Sequence, residues 1–216
     1  MLDALDKIEI PLRDASGPVR IPIMDKLKDQ GIDLFGKVLR GSIKIGAKLV
    51  LMPSKIPVEL TMIYNSEDSA ISWAPCGENI KFKLRGVEEE SQCPRGSVVC
   101  SPESLIPTFD AFEGEVSFME MPLKMLISEG FKCIIHMHTI VEECTVAKIV
   151  GIRDMESKAI KPSKYVKSNT TAVLVITTRI HICGEKFEEM ADMGRFTLRY
   201  DNRTIGFGKV LKYKKK

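Results

Sequence analysis

The sequence predicts an all-β protein built as two consecutive domains. Short segments alternate apolar and polar residues with a period of two, and turn residues punctuate them at short intervals. Convincing helical spacing is absent between those segments. The rhythm breaks once, at Ser101-Pro-Glu-Ser-Leu-Ile-Pro107, and then restarts. Sets of short strands at such spacing form a sandwich or a barrel, and a barrel leaves no sheet edge exposed.

In chain order, Leu2-Asp-Ala-Leu-Asp-Lys-Ile8 has apolar residues at helical spacing but is too short to stand alone as a helix. Pro11, Pro18 and Pro22 around Asp14-Ala-Ser-Gly17 read as a linker. A helix stub followed by such a linker is the expected look of a portion of something longer. The first set of strands is Val19–Met24, Asp33–Leu39, Ala47–Met52 beyond a Gly41–Gly46 turn, Val58–Ile63, Asn79–Arg85 and Gly96–Cys100. Asn79–Arg85 alternates throughout: Ile80, Phe82 and Leu84 share one face, Lys81, Lys83 and Arg85 the other. The second set is Phe109–Met119, Phe131–His138, Val146–Arg153, Ala172–Thr178, Arg195–Tyr200 and Thr204–Lys212. Polar Gly151–Lys167 is expected to be an exposed loop. The resulting division is 1–18 for the stub and linker, 19–105 for the first domain and 106–216 for the second.

Composition is that of an ordinary soluble globular protein, with 44% hydrophobic and 28% charged residues. No uncharged apolar run is long enough to span a bilayer, and no signal peptide opens the chain. A cytoplasmic location and no membrane contact are expected. The six cysteines lack paired spacing, so free thiols in a reducing compartment are expected. The net charge of +3 is local rather than general. Met1–Leu105 carries 14 Lys/Arg against 15 Asp/Glu, and the excess gathers at Lys209, Lys212, Lys214, Lys215 and Lys216. That tail reads as frayed and solvated, with a weak RNA contact as the alternative.

Four motifs invite a functional reading, and each has a simpler one. Gly31-Ile-Asp-Leu-Phe-Gly-Lys-Val38 nearly spells a phosphate-binding loop. Val38 lacks the hydroxyl that reaches magnesium, Leu34-Phe35 is bulky, and a strand rather than a helix follows. No other segment offers the loop, so this chain itself is expected neither to bind nor to hydrolyse GTP, and no cofactor is assigned to it. His136-Met-His138 places two imidazoles on one face of a strand, a spacing some zinc sites use, with Glu142 or Glu143 as a third ligand. Without a further histidine or a Cys pair beside them, an interface or structural role is the expectation. Cys133 and Cys144 lie in apolar strand patterns where thiols act as small core residues, and no orienting residue marks either as a nucleophile. Trp73 precedes the basic strand Asn79–Arg85, a pattern of stacking surfaces, but is expected to plug a barrel end.

Met193-Gly-Arg-Phe-Thr-Leu-Arg-Tyr-Asp-Asn-Arg-Thr-Ile-Gly-Phe-Gly-Lys-Val-Leu-Lys212 is the most informative stretch. It reads as a β-hairpin whose two-residue turn, Asp201-Asn202, uses residue types that tolerate positive φ. Arg195, Thr197 and Arg199 alternate with Phe196 and Leu198. Two arginines held on a rigid strand beside a buried Phe suit docking of a partner better than catalysis. The alternative for Phe196 itself is a core role, in which its substitution lowers stability first.

The same hairpin, with Gly-Arg-Phe-Thr-Leu-Arg and the following Gly-Lys-Val-Leu-Lys, resembles the closing hairpin of translational GTPases related to elongation factor Tu. Its wording is most similar to the eukaryotic class II release factors. Leu39-Arg-Gly-Ser-Ile-Lys-Ile-Gly46, Leu49-Val-Leu-Met-Pro53, Pro75-Cys-Gly-Glu-Asn-Ile80, Leu84-Arg-Gly-Val-Glu-Glu89 and Gly96-Ser-Val-Val-Cys100 resemble that family's first barrel. His136-Met-His-Thr-Ile-Val-Glu-Glu143 and Lys186-Phe-Glu-Glu189 resemble the release-factor version of its second. The resemblance runs from about Leu2 to Tyr213. One departure is Tyr200-Asp201-Asn202, where the family has an acidic residue and a Gly in the turn.

The resemblance implies two antiparallel Greek-key β-barrels side by side, like the second and third domains of elongation factor Tu. It implies that Leu2–Ile8 ends a GTPase domain, which would hold GTP and magnesium. The second barrel would dock the C-terminal domain of a class I release factor, and the first would lean on the small ribosomal subunit. The docking face expected is Arg195, Phe196, Thr197 and Arg199, joined by His136, His138, Glu142 and Glu143. A ribosome-rescue GTPase or an aminoacyl-tRNA-binding elongation factor would share both barrels.

Overall fold

The computed structural model describes residues 14–29, 31–121, 125–154 and 159–214; the helix expected at Leu2–Ile8 lies outside them. Strands β1 (Arg20–Asp29), β2 (Gly31–Lys37), β3 (Ile43–Lys44), β4 (Lys48–Met52), β5 (Ile56–Tyr64), β6 (Ala70–Ile71), β7 (Trp73–Ala74), β8 (Asn79–Arg85) and β9 (Val98–Cys100) come first. Six of them close on themselves in the order β4-β9-β1-β2-β8-β5, with β5 returning to β4. Then follow β10 (Thr108–Phe118), β11 (Ile127–Ser128), β12 (Lys132–Met137), β13 (Ile140–Arg153), β14 (Ile160–Lys161), β15 (Tyr165–Val166) and β16 (Thr171–Cys183). A single helical turn, α1 (Ala191–Gly194), precedes β17 (Arg195–Tyr200) and β18 (Arg203–Tyr213). These close a second antiparallel barrel, β12-β17-β18-β10-β16-β13, with β13 returning to β12. Closure leaves neither barrel with a free edge among these strands. No helix of the described residues is long and apolar enough to cross a membrane.

Period-two patterning decides which side chains fill each barrel. In β8, Ile80, Phe82 and Leu84 are buried between more exposed basic neighbours, and they join Leu34, Leu51, Leu60 and Ile63 in the first core. In β17, Phe196 and Leu198 alternate with Arg195, Thr197 and Arg199 and join Phe112, Ile135 and Leu174 in the second. Asp201 and Asn202 turn the final hairpin with φ of 48° and 58°, the left-handed pair that a two-residue turn of matching twist requires.

A third, smaller apolar cluster joins the barrels: Met52, Val98 and Cys100 from the first, Ile106 from the connection, and Cys183 and Met193 from the second. Beside it, buried Arg20 reaches buried Glu185 at 2.7 Å. The same guanidinium donates to the carbonyls of Val19 (3.0 Å) and Ser104 (2.8 Å). Gly96 is required at this junction. Its φ is +85°, and a Cβ there would lie 2.2 Å from Ile140 of the second barrel.

Gly31–Lys37, within the near phosphate loop, is β2, in line with the strand expected at Asp33–Leu39, and its backbone is committed to ladders with β1 and β8. Other sequence expectations change. Trp73 does not plug a barrel end: it pairs with Lys44 on a two-stranded ribbon and is 56% exposed. The expected loop Gly151–Lys167 holds the end of β13 and the short strands β14 and β15. Strands β13 and β16 are also far longer than their apolar runs.

Candidate partner-docking face

Three neighbouring ladders assemble the candidate face. Strand β12 pairs Ile134 with Arg199 and His136 with Thr197 of β17. On its other side it pairs Ile134 with Glu143 and His136 with Val141 of β13. Directly opposed residues of an antiparallel pair project to the same side, so Arg199, Ile134 and Glu143 form one row and Thr197, His136 and Val141 the next. Both rows point away from the core, since the intervening Cys133, Ile135 and Met137 are buried. The face continues across β18, where Phe207 opposes Thr197 and Lys209 opposes Arg195. Beyond it, β10 presents Ser117 and Glu115.

The chemistry is apolar positions framed by charge. Ile134, Val141 and Phe207 are exposed. Glu143 lies 3.5 Å from Lys132 and 3.2 Å from Arg179. Arg199 spends one Nη2–H on the carbonyl of Asn202 at 2.8 Å, which holds the guanidinium toward the turn. Arg195 sits over the Phe187 ring, 5.4 Å from its centre. Between Phe187, Arg195, Phe207 and Lys209 runs a groove of about 380 Å³. At its floor Glu115 takes Lys209 at 2.7 Å and also pairs with Arg153. Burial alone would raise the Glu115 carboxyl, but these two cations hold it below the usual range. His136 is lowered by burial first and then by Arg199 and Arg95, so its ring is neutral at pH 7.

Of the residues expected on this face, Arg195, Thr197, Arg199, His136 and Glu143 lie together on it. Phe196 does not. It is 2% exposed, packs edge-on against Phe112 with ring centres 5.3 Å apart, and needs Gly208, where a Cβ would sit 2.5 Å from its ring. Its part is to anchor the strand from inside. Glu142 opposes buried Ile135, which puts it on the other side of β13 from Glu143. His138 leaves the strand altogether. Its φ of 40° places it in the β12–β13 turn, and its ring turns inward, with Nε2 3.0 Å from the Cys183 carbonyl and Nδ1 3.2 Å from Thr139 Oγ1. A carbonyl accepts only, so Nε2 carries the proton and Nδ1 accepts from the hydroxyl. Burial lowers the pKa of His138 to about 4 despite that bond. The two histidines therefore do not share a face, and among the described residues no group of three or more metal-ligating side chains is gathered.

The sequence reading missed Ile134, Val141, Lys132, Arg179 and Phe207. Lys132–Met137 alternates in burial, but the continuous apolar run Cys133-Ile134-Ile135 hides that alternation in the sequence. With Cys133, Ile135 and Met137 facing in, Ile134 must face out despite being apolar.

The chain as a whole is similar to known proteins. Residues 111–211 match the family described as GTP-eEF1A C-terminal domain-like. Over 214 residues the chain is 36% identical to the eukaryotic peptide chain release factor GTP-binding subunit of Zygosaccharomyces rouxii, covering 98% of this chain and 32% of that protein. The protein of the same name in Debaryomyces hansenii is also 36% identical, with 98% and 30% covered. The chain thus spans about a third of the length of these relatives. Among solved structures, sup35 complexed with GDP superimposes with a TM-score of 0.86 at 32% identity, over 99% of this chain and 52% of that one.

Proposed function

We propose, from a chain that corresponds to the two C-terminal barrels of a translational GTPase of the release-factor type, that it binds a class I release factor through the outer face of its second barrel. The carrying observation is the co-facial set Arg199, Ile134, Glu143, Thr197, His136 and Val141. Exposed apolar centres rimmed by fixable charges are how protein interfaces concentrate energy. The face carries both signs of charge, which favours a protein partner over a phosphate backbone. We read 19–105 and 106–216 as the two domains, the first leaning on the small ribosomal subunit in the cytoplasm. GTP and magnesium belong to a GTPase domain beyond this chain, which acts in binding rather than turnover. A weak RNA contact of the lysine tail is compatible with this role.

Calorimetry of the full chain with a purified class I release factor tests the reading, with aminoacyl-tRNA as control and at two salt concentrations. Weakly salt-dependent binding to the factor alone is the expected outcome. Binding only to tRNA with a steep salt slope would move the chain to the elongation-factor class. Binding to neither would favour the ribosome-rescue GTPases.

A further inference from the structure

We infer that Cys133 and Cys144 form a latent cross-strand dithiol, a modification site that closes to a disulfide with a disulfide oxidant. They oppose each other directly in the β12–β13 ladder, and their sulfurs lie 3.4 Å apart. Direct opposition in an antiparallel pair holds the Cα atoms about 4.5–5.5 Å apart, inside the span a disulfide needs. Small rotations of both side chains therefore bring the sulfurs to bonding distance without moving the strands. The pair is set apart from the other four cysteines by this register. Both thiols are buried, Cys133 5% and Cys144 1% exposed. The adjacent Cys133 sulfur and burial together push the Cys144 thiol far up. The pair thus stays reduced in the resting fold and reacts when the hairpin opens.

With oxidised glutathione the steps balance. One cysteine thiolate attacks a glutathione sulfur and expels glutathione thiolate, leaving a mixed disulfide. The second cysteine, having given up its proton, attacks the protein sulfur of that mixed disulfide and expels the second glutathione. Two protein thiols are oxidised and one glutathione disulfide becomes two glutathiones.

The test is to equilibrate the full chain in oxidised and reduced glutathione mixtures, both from the native state and by refolding out of urea. The products are denatured, alkylated, digested and weighed. A Cys133–Cys144 linked peptide, two hydrogens lighter, with the other four cysteines alkylated, is the expected result. In Cys133→Ser the crosslink is lost and Cys144 stays alkylatable or glutathionylated. Alkylation of both residues at every ratio in both protocols would overturn the inference. So would pairing of either one with a different cysteine.

Discussion

Arg20 of the first barrel and Glu185 of the second meet at 2.7 Å with their side chains 4% and 7% exposed. The guanidinium also donates to Val19 and to Ser104 of the connecting segment, so one residue ties together both barrels and the link between them. A buried ion pair is weak support for stability when both partners are counted, because removing two charges from water offsets their attraction. Removing one partner is another matter, since it strands the other.

Arg20→Ala or Glu185→Ala is accordingly expected to cost about 3–5 kcal/mol in urea unfolding. The double substitution Arg20→Met with Glu185→Leu should recover most of that loss, since no charge is left stranded. A double variant as unstable as the singles would mean that the hydrogen bonds to Ser104 and Val19, not the charge pair, hold the junction.

Phe196 and Arg195 are neighbours in sequence with opposite duties. Phe196→Ala empties space between Phe112, Gly114 and Gly208, and is expected to lower stability by about 3–5 kcal/mol. Gly208→Ala attacks the same packing from the other side, driving a methyl into the ring, at about 1–3 kcal/mol. Arg195→Ala should leave the unfolding midpoint almost unchanged, because its side chain is exposed. Equal losses for Phe196→Ala and Arg195→Ala would contradict this division.

What the sequence made legible follows from period two. Asn79–Arg85 and Arg195–Tyr200 alternate without interruption, and both appear as strands with those bounds. Alternation fails where a strand carries bulges. Between Phe109 and Ala111 of β10 stands Asp110 alone, while β16 runs from Ile182 to Thr177 through four residues. That irregularity hides the true end of the strand. The pair Glu142-Glu143 breaks the polar–apolar alternation at the start of β13 although its register with β12 is regular. Trp73 carries no period to betray its exposure, and a left-handed His138 is set by the tertiary turn rather than by its own preference. The candidate face was therefore legible where β17 alone defined it, and obscured where two ladders had to be put in register.

His138 links stability to pH. Its folded pKa of about 4 lies below the 6.5 of an exposed histidine, so the unfolded chain takes up the proton first. The stabilisation from its neutral, hydrogen-bonded ring is fully present above pH 6.5 and is lost as pH falls toward 4. The loss attributable to this group by pH 4 is about 3 kcal/mol. His136 acts in the same direction but weakly, being better solvated. His138→Asn keeps a residue that tolerates the left-handed backbone and removes the titration. Urea midpoints between pH 7.5 and 4.5 should then fall less steeply in the variant. Parallel slopes would place the pH dependence elsewhere.

The proposed docking face makes a sharper demand than any single contact. Arg195→Ala with Arg199→Ala removes two cationic positions of β17 while leaving Phe196 and Leu198 to hold the barrel. Affinity for a class I release factor should weaken by at least about 1 kcal/mol, or roughly fivefold, at an unchanged unfolding midpoint. Ile134→Ala with Val141→Ala should have a comparable effect through lost apolar contact, and one less sensitive to salt. Glu142→Ala, on the other side of β13, should leave binding unaffected, whereas Glu143→Ala releases Lys132 and Arg179 and changes it. That contrast separates a face from a mere concentration of charge. If Glu142 and Glu143 proved equivalent, the partner would be responding to net charge rather than to the row formed by Arg199, Ile134 and Glu143.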